Sequence, residues 1–226
     1  MRIAGLLAVS LLLAGCSSSG GGDSEQSPAS TPSSSASAGA PSQSRRPAPS
    51  SAPEAGTAIA DVISWIEAGR PADPAQYRTV TRDGVATELG DDIAFSTQDG
   101  AVACTTDVER TGDELACLVQ LKNPPPRPET AYGEWKGGWV DFDGTKLEVG
   151  SARADPGPFV HGNGPALANG DTLSIDDYRC RADQAGLFCV NYAHQSAVRF
   201  SSAGIEPFGC LKSVPPPDAV GEAFSC

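Results

Sequence analysis

The sequence predicts a mainly β domain, an antiparallel β-sandwich or barrel with a short N-terminal helix and three disulfides. Short apolar runs recur from Tyr77 onwards, separated by Asp-Gly and other glycine turns. No strand–helix–strand alternation interrupts them, which argues against a parallel α/β fold. Six cysteines follow in closely spaced pairs.

Ahead of the domain, Met1-Arg2 precedes an uncharged run from Leu6 to Leu13. One basic residue before a short apolar stretch is the layout of a secretory signal peptide, here residues 1–15. The run falls short of the about 20 apolar residues that span a bilayer. It ends Leu13-Ala14-Gly15-Cys16, which resembles the lipobox of bacterial lipoproteins. That resemblance implies cleavage after Gly15 and lipidation of the Cys16 thiol, with palmitate among the acyl chains. One chain, at about 0.8 kcal/mol per buried CH₂, binds marginally, while two or more anchor stably. The expected location is the extracytoplasmic face of the cell membrane, with the membrane as a partner through the lipid. Setting Cys16 aside from the seven cysteines leaves an even six, suited to disulfides in an oxidising compartment.

Residues 16–56 form the expected tether, Ser, Pro, Ala and Gly with little apolar surface to offset chain entropy. About 40 such residues place their ends roughly 35 Å apart as a coil. The composition resembles O-glycosylated stalks. Residues 57–226 form the expected domain, long enough to bury a core. Taking Asp23, Glu25 and Glu54 from the 28 acidic residues, and Arg2, Arg45 and Arg46 from the 16 basic ones, leaves 25 acidic against 13 basic beyond Gly56. This balance disfavours nucleic acid and any electrostatic grip on anionic headgroups.

The domain opens with one helix: Ile59, Val62, Ile63 and Ile66 share a stripe, Thr57 is the candidate N-cap, and Gly69 and Pro71 end it. Strands are expected over Tyr77–Arg82, Ile93–Thr97, Ala101–Val108, Leu115–Leu121, Trp139–Phe142, Lys146–Val149, Leu173–Ile175, Tyr178–Ala182, Leu187–Tyr192 and Ala197–Phe200. Turns are expected at Asp83-Gly84, Asp99-Gly100, Thr111-Gly112, Asp143-Gly144 and Ala185-Gly186. Cys104 and Cys117 then face each other across one hairpin, and Cys180 and Cys189 across another. Cys210 and Cys226 remain to fasten the C-terminal tail. Six cysteines allow many pairings, and this sequential set is the one proximity favours.

Two groups of residues carry a resemblance. Ile93-Ala94-Phe95-Ser96-Thr97-Gln98-Asp99-Gly100-Ala101-Val102-Ala103-Cys104 with Ala116-Cys117, followed by Leu167 to Leu173, Tyr178-Arg179-Cys180 and Gly186 to Asn191, is similar to a small extracytoplasmic disulfide-containing β-domain of actinobacteria. Such domains continue with a Gly-His-Gly-Phe-like stretch. Here Ala193-His194-Gln195-Ser196 keeps the histidine and lacks the glycines, which weighs against carrying a family role over to His194. The strings Trp65 to Pro74, Asn123 to Trp135 and Gly204 to Cys210 resemble mycobacterial envelope lipoproteins of the LppI type. That resemblance implies a cell-envelope location and no particular activity.

The inventory for catalysis is thin. His161 reads as a loop residue and His194 lies near a strand end, and no Gly-x-Ser-x-Gly elbow precedes either. Paired thiols leave no cysteine nucleophile. No His-Glu-x-x-His or Cys-x-x-Cys pattern supports zinc. Asp141-Phe142-Asp143-Gly144 with Glu148 lacks the ligand spacing of a calcium loop and reads as a hairpin turn. Asp91-Asp92 and Asp176-Asp177 read as turn and strand-end residues. The sequence thus assigns no catalytic residue, metal or cofactor. One aromatic cluster has two readings. Tyr132, Trp135, Trp139 and Asp141 could line a groove for sugar rings, or Trp139 could be core and Trp135 a loop plug. Pro124–Pro126 and Pro215–Pro217 are expected to be stiff extended crossings over the sheet. The expected function is a non-catalytic binding or interaction module of the cell envelope, for a glycan, lipid or protein. The alternatives are an envelope hydrolase, which needs a polar cleft joining a histidine to Asp and Ser, and a lipid carrier, which needs an apolar cavity.

Overall fold

Because side chains alternate across a strand, a sheet buries one face on its partner and leaves the other to be covered or solvated. In the computed structural model of this chain, both sheets follow that rule. The structure describes residues 50–152 and 156–226. The expected signal peptide, Cys16 and most of the expected tether lie outside the described residues. Among those described, no helix is long and apolar enough to cross a membrane.

Packed structure already includes Ala52 and Pro53, ahead of the boundary expected at Gly56. Helix α1 (Ile59–Glu67) buries Val62, Trp65 and Ile66. Trp65 widens the aliphatic stripe read from the sequence. Thr57 is not the N-cap: Ala58 holds that position, and the Thr57 hydroxyl donates to the Glu54 carbonyl at 2.7 Å. The helix still ends before Gly69, as expected, and a Cβ at Gly69 would run into the Thr172 side chain.

Beyond the helix come β1 (Arg70–Pro71), a 3₁₀ turn over Pro74–Tyr77, and a small hairpin of β2 (Thr79–Arg82) and β3 (Val85–Glu88). A meander follows: β4 (Ala94–Thr97), β5 (Val102–Asp107), the one-turn helix α2 (Val108–Thr111), β6 (Gly112–Val119), β7 (Trp135–Phe142) and β8 (Lys146–Ala152). A 3₁₀ segment (Gly157–His161) and β9 (Ala166–Leu167) lead to the second meander. It comprises β10 (Asp171–Ile175), β11 (Tyr178–Asp183), β12 (Gly186–Asn191), β13 (Ser196–Ser201) and β14 (Gly204–Phe208). The chain then returns to the first sheet with β15 (Lys212–Val214) and β16 (Val220–Ser225).

The two principal sheets are open, not closed into a barrel. One runs β1-β10-β11-β12-β13-β14 and the other β15-β16-β8-β7-β6-β5-β4-β9. Their inward faces share one core: Phe95, Leu115, Val140, Phe142 and Leu147 from one sheet, Leu173, Leu187, Val198 and Phe200 from the other. This is the sandwich-like arrangement that the alternating runs predict. Outer faces are covered as well. Helix α1 lays Val62, Trp65 and Ile66 on Phe188, Val190, Ala197 and Phe208. Phe159 of the 3₁₀ segment lies on Trp139 and Ala116 of the other sheet.

Three disulfides join the expected pairs. Cys104 and Cys117 stand directly opposite on β5 and β6, and Cys180 and Cys189 directly opposite on β11 and β12. All four point into the shared core. Cys210 follows β14 and Cys226 follows β16, so their bridge closes the corner where the chain changes sheets.

Several local expectations are corrected. Tyr77 belongs to the 3₁₀ turn and the core, and its strand begins at Thr79. Thr111-Gly112 ends α2 instead of forming a tight hairpin turn, because the Asp107 carboxylate accepts from the Arg110 amide at 3.1 Å and nucleates one helical turn. Strands β14, β15 and β16 have too few apolar residues to announce themselves, and Pro207 is tolerated because β14 is an edge. Pro125 is buried against Gly150 and Gly221, so the first proline run does cross the sheet. Pro215–Pro217 instead is exposed between β15 and β16.

Candidate functional site

Alternation along β7 puts Trp139 and Asp141 on one face, the outer one. Trp139 is 1 % exposed, its indole Nε1–H donates to Asp141 Oδ1 at 2.6 Å, and its ring meets Phe159 edge-on at 5.3 Å. Trp135 is half-buried, and its ring lies so near Gly150 that a Cβ there would sit 2.6 Å from Cζ2. Tyr132 stands 86 % exposed on the preceding loop. The structure therefore joins Trp139 to Asp141 as a satisfied buried pair and places Tyr132 and Trp135 elsewhere. None of the three aromatic residues lines any of the clefts that follow.

The histidines are also apart. His194 is exposed in the turn between β12 and β13 and borders a hollow of about 440 Å³ with Asp113, Asp143, Asp176 and Asp177. His161, exposed at the end of its 3₁₀ segment, borders a hollow of about 340 Å³ with Asp91, Asp107 and Glu109. Among the described residues, no serine lines either hollow. Asp143 is engaged in its turn, Oδ1 accepting from the Thr145 amide at 2.7 Å and the Lys146 amide at 2.6 Å. Asp92 is tied to the Thr106 hydroxyl at 3.0 Å and the Val108 amide at 3.1 Å. Among the described residues, no three His, Cys, Asp or Glu side chains converge as metal ligands.

A larger concavity, about 610 Å³, lies where three connections meet at one end of the sandwich. The β4–β5 turn brings Gln98 and Asp99, the β11–β12 turn brings Asp183 and Gln184, and the β13–β14 turn brings Ser202 and Ala203. Asn169 closes the fourth side, its backbone N–H donating to Gln98 Oε1 at 3.2 Å. Arg199 reaches in from the outer face of β13, where it stands between Phe188 and Glu206. Gly186 forms part of the wall at φ 129°, and a Cβ there would strike the Phe200 carbonyl oxygen.

The cleft's charges are unevenly committed. Asp99 Oδ1 accepts from the Thr97 hydroxyl at 2.6 Å and from the Ala101 amide at 3.0 Å. The Thr97 hydroxyl, with the Ala101 amide second, holds its carboxyl below the ordinary carboxylate range. Asp183 accepts from the Ala185 amide at 2.9 Å. Arg199, by contrast, is half-buried with its Nε enclosed and unpartnered. The chemistry on offer is hydrogen bonding from amides and hydroxyls together with one uncommitted guanidinium. Sequence reasoning missed these residues because polar side chains at turns carry no periodic signal. Only the stacking of two meanders brings them together.

Compared with protein-family models, curated proteins and solved structures, the chain matches none.

Proposed function

We propose that this chain is a non-catalytic binding module of the cell envelope, held at the extracytoplasmic face of the membrane by lipid on Cys16, and that its end cleft receives a polar ligand such as an envelope glycan. The observation that carries the reading is the cleft itself. Its volume of about 610 Å³ suits a ligand the size of one or two sugar rings, and its lining is rich in amides and hydroxyls. It is built on turns between paired strands, the part of a rigid scaffold where binding residues concentrate. The side chains between the sheets are buried to within a few per cent and pack into one apolar cluster. A glycan-binding cleft beside a tethered, acidic domain also fits the resemblance to envelope lipoproteins.

The test is a two-dimensional NMR titration with soluble envelope glycan fragments. Shifts concentrated at Gln98, Asn169, Gln184 and Ser202 are expected. Shifts confined to other faces, or none at millimolar ligand, would refute the cleft as the binding site. The anchor is tested separately, since Cys16→Ala should move the chain from the detergent phase to the aqueous phase.

A further inference from the structure

Three charged side chains line the end cleft, and they differ in what they are already doing. Asp99 and Asp183 are spent on holding their own turns, through the Thr97 hydroxyl and the Ala101 and Ala185 amides. The Arg199 side chain makes no hydrogen bond or ion pair with any described residue, and its Nε–H is buried with no acceptor. Glu206 is its register neighbour on β14, yet no ion pair forms between them. With Nε enclosed, the donors left for a ligand are the two terminal guanidinium nitrogens, which are not among the enclosed atoms and have no partner among the described residues. The guanidinium is a planar fork whose geometry matches a carboxylate or a phosphate.

Resting on the reading of this cleft as the binding site, we propose that its ligand carries an anionic group, carboxylate or phosphate, which Arg199 receives, while the amides of Gln98, Asn169 and Gln184 take the neutral polar part. The ligand class is therefore an acidic or phosphorylated sugar-sized molecule. The chain's net charge of −12 opposes anions at long range, so the selectivity arises from local contact with this one side chain and not from the field of the protein.

A matched trio tests this: glucose, glucuronate and glucose 6-phosphate, titrated into the full chain in detergent and followed by chemical shift. One or both anionic sugars should bind about tenfold more tightly than glucose, as an uncommitted charge-assisted contact implies. Preference for glucuronate alone marks a carboxylate site, and for glucose 6-phosphate alone a phosphate site. Arg199→Gln should erase the preference, bringing both anionic sugars down to the affinity the same variant shows for glucose. Arg199→Lys, which keeps the charge and loses the fork, should retain part of it and serves if the glutamine variant melts early. Ala203→Trp, at an exposed turn position on the rim, should block all three sugars. Equal binding of the trio, or a preference that survives Arg199→Gln, overturns the anion assignment and leaves the cleft reading standing. Binding indifferent to Ala203→Trp, or no binding of any of the three, overturns both.

Discussion

Removing the Trp65 side chain tests the claim that helix α1 is an integral cover of the six-stranded sheet. Trp65 is 1 % exposed, its ring meets Phe188 edge-on at 4.8 Å, and the Arg181 guanidinium lies 3.9 Å above it. The Arg181 fork also donates to the Trp65 carbonyl, which ties the helix to β11. Truncating a buried aromatic to alanine costs about 3–5 kcal/mol, because the transfer term and the residual cavity add. Loss of the cation–π contact adds roughly 0.5–2 kcal/mol, reduced here because Arg181 can then relax toward water. Against a typical stability of about 5–15 kcal/mol this is a large fraction. With a urea m-value of about 2 kcal/mol/M, Trp65→Ala should lower the unfolding midpoint by about 2 M. Far-UV circular dichroism on the oxidised protein is the assay, so that native and variant share one disulfide-constrained unfolded state. Val85→Ala, at a site 65 % exposed, is the control and should stay within about 0.5 kcal/mol of the parent. A midpoint loss below about 0.3 M for Trp65→Ala would show the helix to be a detachable flap, and the packing argument would fail.

Other outcomes follow from the same geometry. Gly138→Ala should destabilise by about 3 kcal/mol in a thermal melt, because the new Cβ would fall far inside contact with the Val119 carbonyl oxygen on the neighbouring strand, where backbone cannot yield. A melting temperature equal to the parent's would contradict that close approach. Mild reductant on the folded protein should open Cys210–Cys226 first, since Cys226 is exposed while the other four cysteines are at most 1 % exposed. Alkylation and mass spectrometry read the order, and early labelling of Cys104 or Cys180 would oppose it. High pH should unfold the domain through its tyrosines. Burial raises the phenols of Tyr77 and Tyr178 above their ordinary value and pushes Tyr192 up to about 12. The native state thus keeps protons that the unfolded chain gives up near pH 10. Their stabilising share is whole below about pH 10 and is lost as pH climbs toward 12 and beyond. In a Tyr132→Phe background, which removes the exposed phenol, absorbance at 295 nm should show phenolates appearing only with unfolding, and ionisation without loss of circular dichroism would refute it.

Some elements announce themselves locally and others do not. The hairpin β11–β12 is legible because the alternating Tyr178 to Ala182 and the apolar run that opens at Leu187 flank a glycine turn, which also sets Cys180 opposite Cys189. Strands β14 to β16 are not legible: Gly204, Pro207, Lys212 and Gly221 dilute the pattern, and these segments become strands because neighbouring strands offer them hydrogen bonds. The Trp135–Trp139 cluster shows the limit of composition. Two tryptophans near a carboxylate suit either a sugar groove or a packed face, and the partner that settles Trp139, Phe159, lies twenty residues away on another element.

The sequence alone determined the β class, the helix and the main meander strands and favoured the three disulfide pairs, because alternation, turn chemistry and short loop closure are local effects. Only tertiary structure decided which sheet each strand joins, what covers the outer faces, and where a cleft opens. The cleft depends on turns from two separate meanders arriving at one end of the sandwich. Arg199 becomes uncommitted there because folding enclosed its Nε without bringing an acceptor to it. That is a matter of distances between residues far apart in the chain, and no local pattern encodes them.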